Sequence, residues 1–271
     1  MISIPVLLRT ARDYLLLWLG LAVLLIVFIV LFTIATNSSL MEQGVEHLKT
    51  PFIRKFLTVL MGTDVVSMLS PTVIASFGFT HPLTWTVIIV YCLTVTSGGL
   101  AGEMDRGTID LLAGLPLSRG SIYNAVGLVV LLKGWVMCWG VWMGTVLGRM
   151  YVDNPDIHLD SLARVAGHLC VTYTFIVSFS LAISGGFSRR GPAVALSFFL
   201  IFYCFVLNVL RAIWPGFDAL KWTDFLYYYQ TVIVVRDEAF KWRDIGVLMS
   251  ASTIWWGVGL LVFVRRDIPA R

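Results

Sequence analysis

Long apolar runs, separated by short polar segments, dominate the chain. A helix needs roughly 17–25 mostly apolar residues to cross the hydrocarbon core of a bilayer. Six runs meet this requirement, at about 14–36, 82–102, 121–148, 165–186, 192–213 and 245–264. The pattern therefore predicts an all-α membrane protein with six transmembrane helices. No internal repeat or low-complexity linker divides the sequence, so we expect one transmembrane domain over residues 1–271.

The residues before the first run, 1–13, predict a short amphipathic helix. One helix face carries apolar residues at i, i+3, i+4 and i+7 spacing, namely Ile4, Leu7, Leu8 and Ala11. Ser3 can cap this helix, and Pro5 is tolerated in its first turn. Arg9 and Arg12 lie off the apolar stripe, a pattern typical of a helix in the interface plane of a membrane. A frayed terminus is the alternative.

Two longer segments are predicted on the extracytoplasmic side. Residues 37–81 form a first loop, which contains an amphipathic segment at 50–62 and a broken apolar stretch at 65–79. We expect the apolar stretch to lie on the membrane surface or to dip in without spanning. Residues 214–244 are rich in Trp, Tyr and Phe. Because Trp and Tyr favour the headgroup level, we expect short helices there, against the outer leaflet.

Basic residues beside the runs indicate the orientation. Arg265 and Arg266 follow the last run directly, and the segments on that side of the membrane are short and dense in basic residues. Short basic segments favour the cytoplasm, so both termini are predicted to be cytoplasmic. We interpret Arg189 and Arg190, like Arg265 and Arg266, as anchors to lipid headgroups, with a regulatory lipid site as the alternative.

Composition agrees with a membrane protein and excludes several other classes. Hydrophobic residues make up 58% of the chain and charged residues 13%, whereas soluble domains carry about 25% charged residues. The basic residues behind the net charge of +4 are too scattered for nucleic-acid binding. The four cysteines and four histidines match no metal or redox spacing. The sequence contains no His-Glu-x-x-His or Gly-x-Ser-x-Gly motif and no clustered intramembrane carboxylates, which would suggest an intramembrane enzyme. We therefore predict neither catalytic nor metal-binding residues.

The segment 103–120, between spans two and three, carries the strongest functional signal. Thr108 is suited to cap a helix, and Asp110 suits the positive N-terminal end of that helix. Gly114 followed by Pro116 predicts the helix stop. The helix of about two turns between these signals is rich in leucine, with Leu111, Leu112 and Leu115. We therefore expect it to sit in an apolar groove of a partner, or alternatively to rest on lipid.

The string Glu-x-x-Arg-Gly-Thr-x-x-Leu-Leu, followed by Pro-x-Ser-Arg, resembles the signature of the ABC type-2 transporter permease family. The matching residues are Glu103, Arg106, Gly107, Thr108, Leu111, Leu112, Pro116, Ser118 and Arg119. In that family the segment is a coupling helix that inserts into a groove on a cytoplasmic ATPase subunit. The resemblance thus implies a docking role for these residues and for Asp110. It also implies an N-terminal elbow helix and short extracellular helices between spans five and six.

The resemblance implies the permease subunit of an ABC exporter in the cell (inner) membrane. The chain has no Gly-x-x-x-x-Gly-Lys-Ser/Thr phosphate loop, so a separate ATPase subunit would bind ATP and Mg, and this chain would be neither an enzyme nor a cofactor carrier. Its other expected partners are a second permease subunit, identical or related, and membrane lipid, with no nucleic acid. The alternative function is mechanical work on an extracytoplasmic partner or lipid without classical transport. The substrate stays open.

Span three contains two further candidate features. Lys133 lies near its middle, where an unpaired charge costs about 2.5–3.5 kcal/mol. It is a candidate residue of a translocation path, and the alternatives are that it snorkels or is paired inside the subunit. Gly140, Gly144 and Gly148 form a row that permits close helix packing, either within the subunit or at a dimer contact.

Overall fold

The computed structural model describes residues 3–36, 70–107, 118–237 and 239–266, and these form helices with no strand. Six helical stretches of this part are long and apolar enough to cross a membrane: Leu15–Thr36, Pro71–Gly99, Arg119–Val152, Leu159–Gly186, Arg190–Ile213 and Trp242–Arg265. The prediction of an all-α chain with six candidate spans is confirmed. The six helices indicate a multi-pass membrane protein.

The helices are numbered in chain order. They are α1 (Ile4–Asp13), α2 (Leu15–Thr36), α3 (Pro71–Thr80), α4 (Pro82–Gly99), α5 (Ala101–Asp105), α6 (Arg119–Val152), α7 (Leu159–Gly186), α8 (Arg190–Ile213), α9 (Thr231–Arg236) and α10 (Trp242–Arg265). Two 3-10 helices, Pro215–Thr223 and Phe225–Tyr228, lie between α8 and α9. Helix α7 is at the centre of the bundle, with 78% of its most apolar stretch buried, whereas α2 lies at the periphery with 11%.

Helix α1 passes into α2 with only Tyr14 between them. Pro5 lies in the first turn of α1, as its fixed φ and missing N–H allow. Val6 is buried against α6, while Ile4 and Leu8 are 68% and 61% exposed. One face of α1 therefore packs on the bundle, and the apolar stripe predicted from the sequence includes residues that face outwards.

The second span begins earlier than predicted, at Pro71 rather than near residue 82. The Ser70 hydroxyl caps α3 by accepting the Val73 N–H at 3.2 Å, and Pro71 occupies the first turn. Thr84 Oγ1 donates to the Gly78 carbonyl at 2.7 Å across the break between α3 and α4. The part of the stretch 65–79 that the structure describes is thus helical and buried in the bundle. Residues 37–69, with the predicted segment 50–62, lie outside the described residues.

The aromatic segment after α8 contains short helices, as predicted, but part of it packs inside the bundle. Its first 3-10 helix, Pro215–Thr223, has no buried residue, but Phe225, Tyr228 and Tyr229 are buried in the core. The Tyr229 ring meets Trp85 at 5.4 Å between centroids, and its hydroxyl donates to a backbone carbonyl. That hydrogen bond satisfies the buried Tyr229 hydroxyl. These three aromatic residues therefore belong to the core of the bundle.

A buried ion pair lies between the two 3-10 helices, where the chain enters the bundle. Asp224 has a fully buried side chain and pairs with Arg211 of α8 at 3.1 Å, while its second oxygen accepts the Leu226 N–H at 2.9 Å. Asn208 donates to the same carboxylate at 3.4 Å. Burial raises the pKa of Asp224, and the hydrogen bonds together with Arg211 oppose that shift. The Asp224–Arg211 ion pair therefore holds the segment to the end of α8.

Candidate functional site: the loop between spans two and three

Glu103 is the most buried charged residue among the described residues of the predicted docking segment, 103–107 and 118–120, with 8% of its surface exposed. It lies on α5, which continues span two after a break at Leu100. Arg106 Nη2 donates to Glu103 Oε1 at 2.6 Å, and Arg9 of α1 approaches both carboxylate oxygens at 3.5 Å. A buried carboxylate needs such partners to offset its desolvation. The contact ties the start of the segment to the N-terminal helix.

The chain leaves α5 at Gly107, which has a left-handed φ of +69°. Its N–H donates to the Met104 carbonyl at 3.1 Å, which closes the last turn of the helix. A residue with a Cβ would be strained in this conformation, so glycine fits the position that ends a helix. The motif glycine is therefore explained by the turn. The residues that follow lie outside the described part of the chain, and they include the predicted docking residues Thr108, Asp110, Leu111, Leu112 and Pro116.

The chain is described again at Ser118, which caps α6. The Ser118 hydroxyl accepts the Ser121 N–H at 3.2 Å, and the Ser121 hydroxyl donates to the Ser118 carbonyl at 2.7 Å. Arg119 Nη1 donates to the Arg266 carbonyl at the end of α10. The segment is thus fixed at its second end as well, to the first turn of α6 and the last turn of α10.

Arg190 and Arg266, which the sequence suggested as headgroup anchors, contact protein groups. The Arg190 backbone N–H donates to Asp105 Oδ2 at 3.3 Å, and its Nε donates to Ser97 Oγ at 3.4 Å. Arg266 donates to the Gly185 carbonyl at 3.4 Å and to the Ser188 hydroxyl. These residues link α8 and α10 to the ends of α4, α5 and α7. Nothing local in the sequence marks these pairs, whose members lie 78–93 positions apart.

Ser184 bridges the break between α4 and α5. Its hydroxyl donates to the Thr96 carbonyl at 2.8 Å and accepts the Ala101 N–H at 3.3 Å. These backbone groups lie at the interrupted helix, where they need partners from outside it. The central helix α7 therefore supports the short helix that carries Glu103.

The remaining predicted residues lie on the α2 side of α6. Lys133 Nζ donates to the Ala11 carbonyl at 2.5 Å and lies 5.3 Å from the centre of the Trp18 ring. This is a contact within the subunit. The row of Gly140, Gly144 and Gly148 also faces α2, meeting Ile26, Ile29 and Thr33. The structure thus brings neither set to the docking segment.

The groups around the segment are ion pairs and hydrogen bonds that join helix ends. Among the described residues, no cluster of three or more His, Cys, Asp or Glu side chains could hold a metal ion. Burial raises the pKa of the neighbouring Tyr14 hydroxyl, so this residue remains a neutral hydrogen-bonding group near neutral pH. The arrangement joins the two ends of the segment to α1, α8 and the end of α10.

No family model and no curated protein sequence matches the chain. The relationship to ABC type-2 permeases therefore rests on the residues of the segment 103–120, and it stays a hypothesis.

Proposed function

We propose that this chain is the permease subunit of an ATP-driven ABC exporter. A separate ATPase subunit binds ATP and Mg, docks on the segment 103–120, and drives outward movement of a cargo. A second permease subunit, identical or related, completes the path. The observation that carries the proposal is that a motif resembling the coupling helix emerges from a network joining most helix ends on one face. The contacts are Glu103–Arg9, Asp105–Arg190 and Arg119–Arg266.

The cargo path is proposed to follow a groove of about 610 Å³ between α4 and α8. Its walls are mostly apolar, with Trp85, Ile89, Val194 and Phe198 among them, and Arg190 lies at one end. Arg190 also contacts α5 at the base of the docking segment. A movement of that segment would therefore reach the groove through one residue. The lining favours an apolar or amphipathic cargo, because polar groups would lose water there without replacement partners.

Co-purification tests the central claim. A tagged copy, extracted from its native membrane, should bring down a protein that contains the phosphate-loop motif and hydrolyses ATP. The variant Leu112→Asp should lose that partner, because a charge would not enter an apolar groove. Leu220→Asp is the matched control, since Leu220 is 42% exposed on the first 3-10 helix, far along the chain from the segment. Equal recovery of the ATPase with both variants would refute docking through this segment.

The groove is tested separately from docking. Val194→Trp should fill it and abolish stimulation of ATP hydrolysis by cargo while the ATPase subunit still binds. Leu196→Trp changes a 39% exposed residue of the same helix that does not line the groove, and it should leave stimulation intact. If both variants keep cargo stimulation, the cargo does not use this groove.

A mechanical role is the second candidate function. The observation that favours it is an exposed aromatic surface at the first 3-10 helix, where Trp222 within the helix and Trp214 directly before it are 56% and 54% exposed. Such a surface suits contact with an extracytoplasmic partner or with lipid. ATPase assays in lipid vesicles distinguish the two functions. Added cargo should stimulate ATP hydrolysis by a pump, whereas a mechanical complex should be stimulated only when its partner is added.

A further inference from the structure

A cavity of about 340 Å³ lies between α1, the α4–α5 junction and α6. This volume is at the lower end of the roughly 300–1,000 Å³ found for ligand sites. Two arginines and two carboxylates line it: Arg9, Arg106, Asp13 and Glu103. The lining is therefore strongly charged but close to neutral in sum, which favours a ligand that carries both signs.

The two ion pairs that Arg9 makes at the cavity have long N–O distances. Arg9 lies 3.5 Å from the carboxylates of Asp13 and Glu103, whereas charge-assisted hydrogen bonds are commonly about 2.7–2.9 Å long. Arg106, by contrast, holds Glu103 at 2.6 Å. An anionic group could therefore approach Arg9 without breaking the short pair. The side chain of Arg9 is 48% exposed and that of Asp13 54%, so both can be reached.

The cavity also has an apolar side and an apolar surrounding. Val6, Ile122 and Val126 form part of its wall. Beyond it, the first turn of α2 carries Leu16, which is 85% exposed. The cavity lies where span one begins, span two ends and span three begins, which is the depth of lipid headgroups in a chain that crosses the membrane. A ligand held there would have polar contacts inside and apolar surface directly beside it.

We propose that this cavity binds the headgroup of an aminophospholipid, with its phosphate on Arg9 and its ammonium on Asp13. The acyl chains then lie along the exposed apolar face of α2. The proposal does not depend on an ATPase partner, because the cavity is formed within this chain alone. Free phosphoethanolamine shares the headgroup chemistry and is the alternative source.

Native mass spectrometry of the purified full chain tests the site, with phosphatidylethanolamine and phosphatidylglycerol added at equal concentration. The wild-type chain should retain phosphatidylethanolamine preferentially. Arg9→Gln should lower its retention about tenfold, since it removes a charged hydrogen-bond donor. Arg12→Gln is the matched control, because Arg12 is an exposed arginine of the same helix outside the cavity, and it should change nothing. Asp13→Asn should remove the preference over phosphatidylglycerol while phosphatidylglycerol binding persists.

A second variant keeps all four charges and tests the site independently, in case Arg9→Gln fails to fold. Val6→Phe should fill the cavity from its apolar wall and lower retention with the thermal unfolding transition preserved. Equal retention by the wild type, Arg9→Gln and Val6→Phe would overturn the site. Displacement of the lipid by an equal concentration of free phosphoethanolamine would overturn the lipid as its occupant, and an absence of displacement supports it.

Discussion

Lys133 Nζ donates a hydrogen bond to the Ala11 carbonyl oxygen, so a lysine of the third candidate span holds the last turn of α1. Trp18 completes the contact, because its indole N–H donates to the Lys133 carbonyl at 3.0 Å while its ring lies beside the ammonium group. The final carbonyls of a helix lack partners within it, and a cation there also interacts favourably with the helix dipole. The pairing gives Lys133 a role inside the subunit.

Lys133→Met should therefore loosen the end of α1. A hydrogen bond to a charged group contributes about 1.5–3 kcal/mol, so amide hydrogen exchange in the last turn of α1 should accelerate about tenfold or more. Leu132→Met, at a neighbouring exposed position, should leave exchange unchanged. Unaltered exchange in Lys133→Met together with lost cargo transport would instead favour a place on the translocation path.

The glycine row on α6 should respond to added volume in a graded way. A Cβ on Gly144 would lie 2.9 Å from the Cβ of Ile29, and one on Gly140 would lie 3.4 Å from its nearest neighbour on α2. Gly144→Ala should destabilise the bundle by roughly 1–3 kcal/mol through overpacking, and Gly140→Ala should have little effect. The measurement is the melting temperature in detergent.

Gly20→Ala is the control for these variants, because no atom lies within 4 Å of a Cβ added there. Alanine is the better helix former by about 1 kcal/mol, so this variant should melt at or above the wild-type temperature. Equal melting temperatures for Gly144→Ala and Gly20→Ala would contradict close packing of α6 on α2.

Gly107 should tolerate only residues that adopt its left-handed conformation. Gly107→Ala should cost about 1–2 kcal/mol at this turn and weaken ATPase binding, while Gly107→Asn should recover part of the loss. Gly246→Ala is a matched control at an open glycine without a positive φ. The readout is the co-purified ATPase activity per copy of this chain. Normal recovery in Gly107→Ala would show that the exit direction of the segment is unimportant.

The Arg211–Asp224 pair should make stability depend on pH once it is broken. Arg211→Met leaves a buried carboxylate without its cation, which costs about 3–5 kcal/mol in comparable pairs. The pKa of Asp224 is already raised by burial, and the loss of Arg211 raises it further. The native state then binds more protons than the unfolded state, so the stability of the variant should increase as the pH falls.

Thermal unfolding at pH 5 and pH 8 measures this effect, and the deficit relative to the wild type should be smaller at pH 5. Arg236→Met provides the control, since Arg236 and Asp237 form an exposed pair that should matter little at either pH. A deficit that is independent of pH would mean that Asp224 is not the group left uncompensated.

The number of spans was predictable, although the start of the second span at Pro71 was not, because hydrophobicity is summed over about twenty neighbouring residues and needs no knowledge of the fold. The cap at Ser118 and the left-handed turn at Gly107 follow from local backbone needs, since their hydrogen bonds join residues three positions apart. The partners of Lys133 and Arg190 were not predictable, since they lie 122 and 93 positions away in the sequence. The inward path of the aromatic segment after α8 likewise depends on how Asp224 meets the preceding helix.

Helix α6 is longer than a membrane requires. Its 34 residues extend about 51 Å at 1.5 Å per residue, against a hydrocarbon core of about 30 Å. It begins at the end of the segment 103–120, and its glycine row packs closely against α2 further along. In the proposed function, a small tilt at the Ser118 end of such a helix would become a larger sideways displacement at the Val152 end. The extra length of α6 would therefore increase the displacement of the surface around Val152.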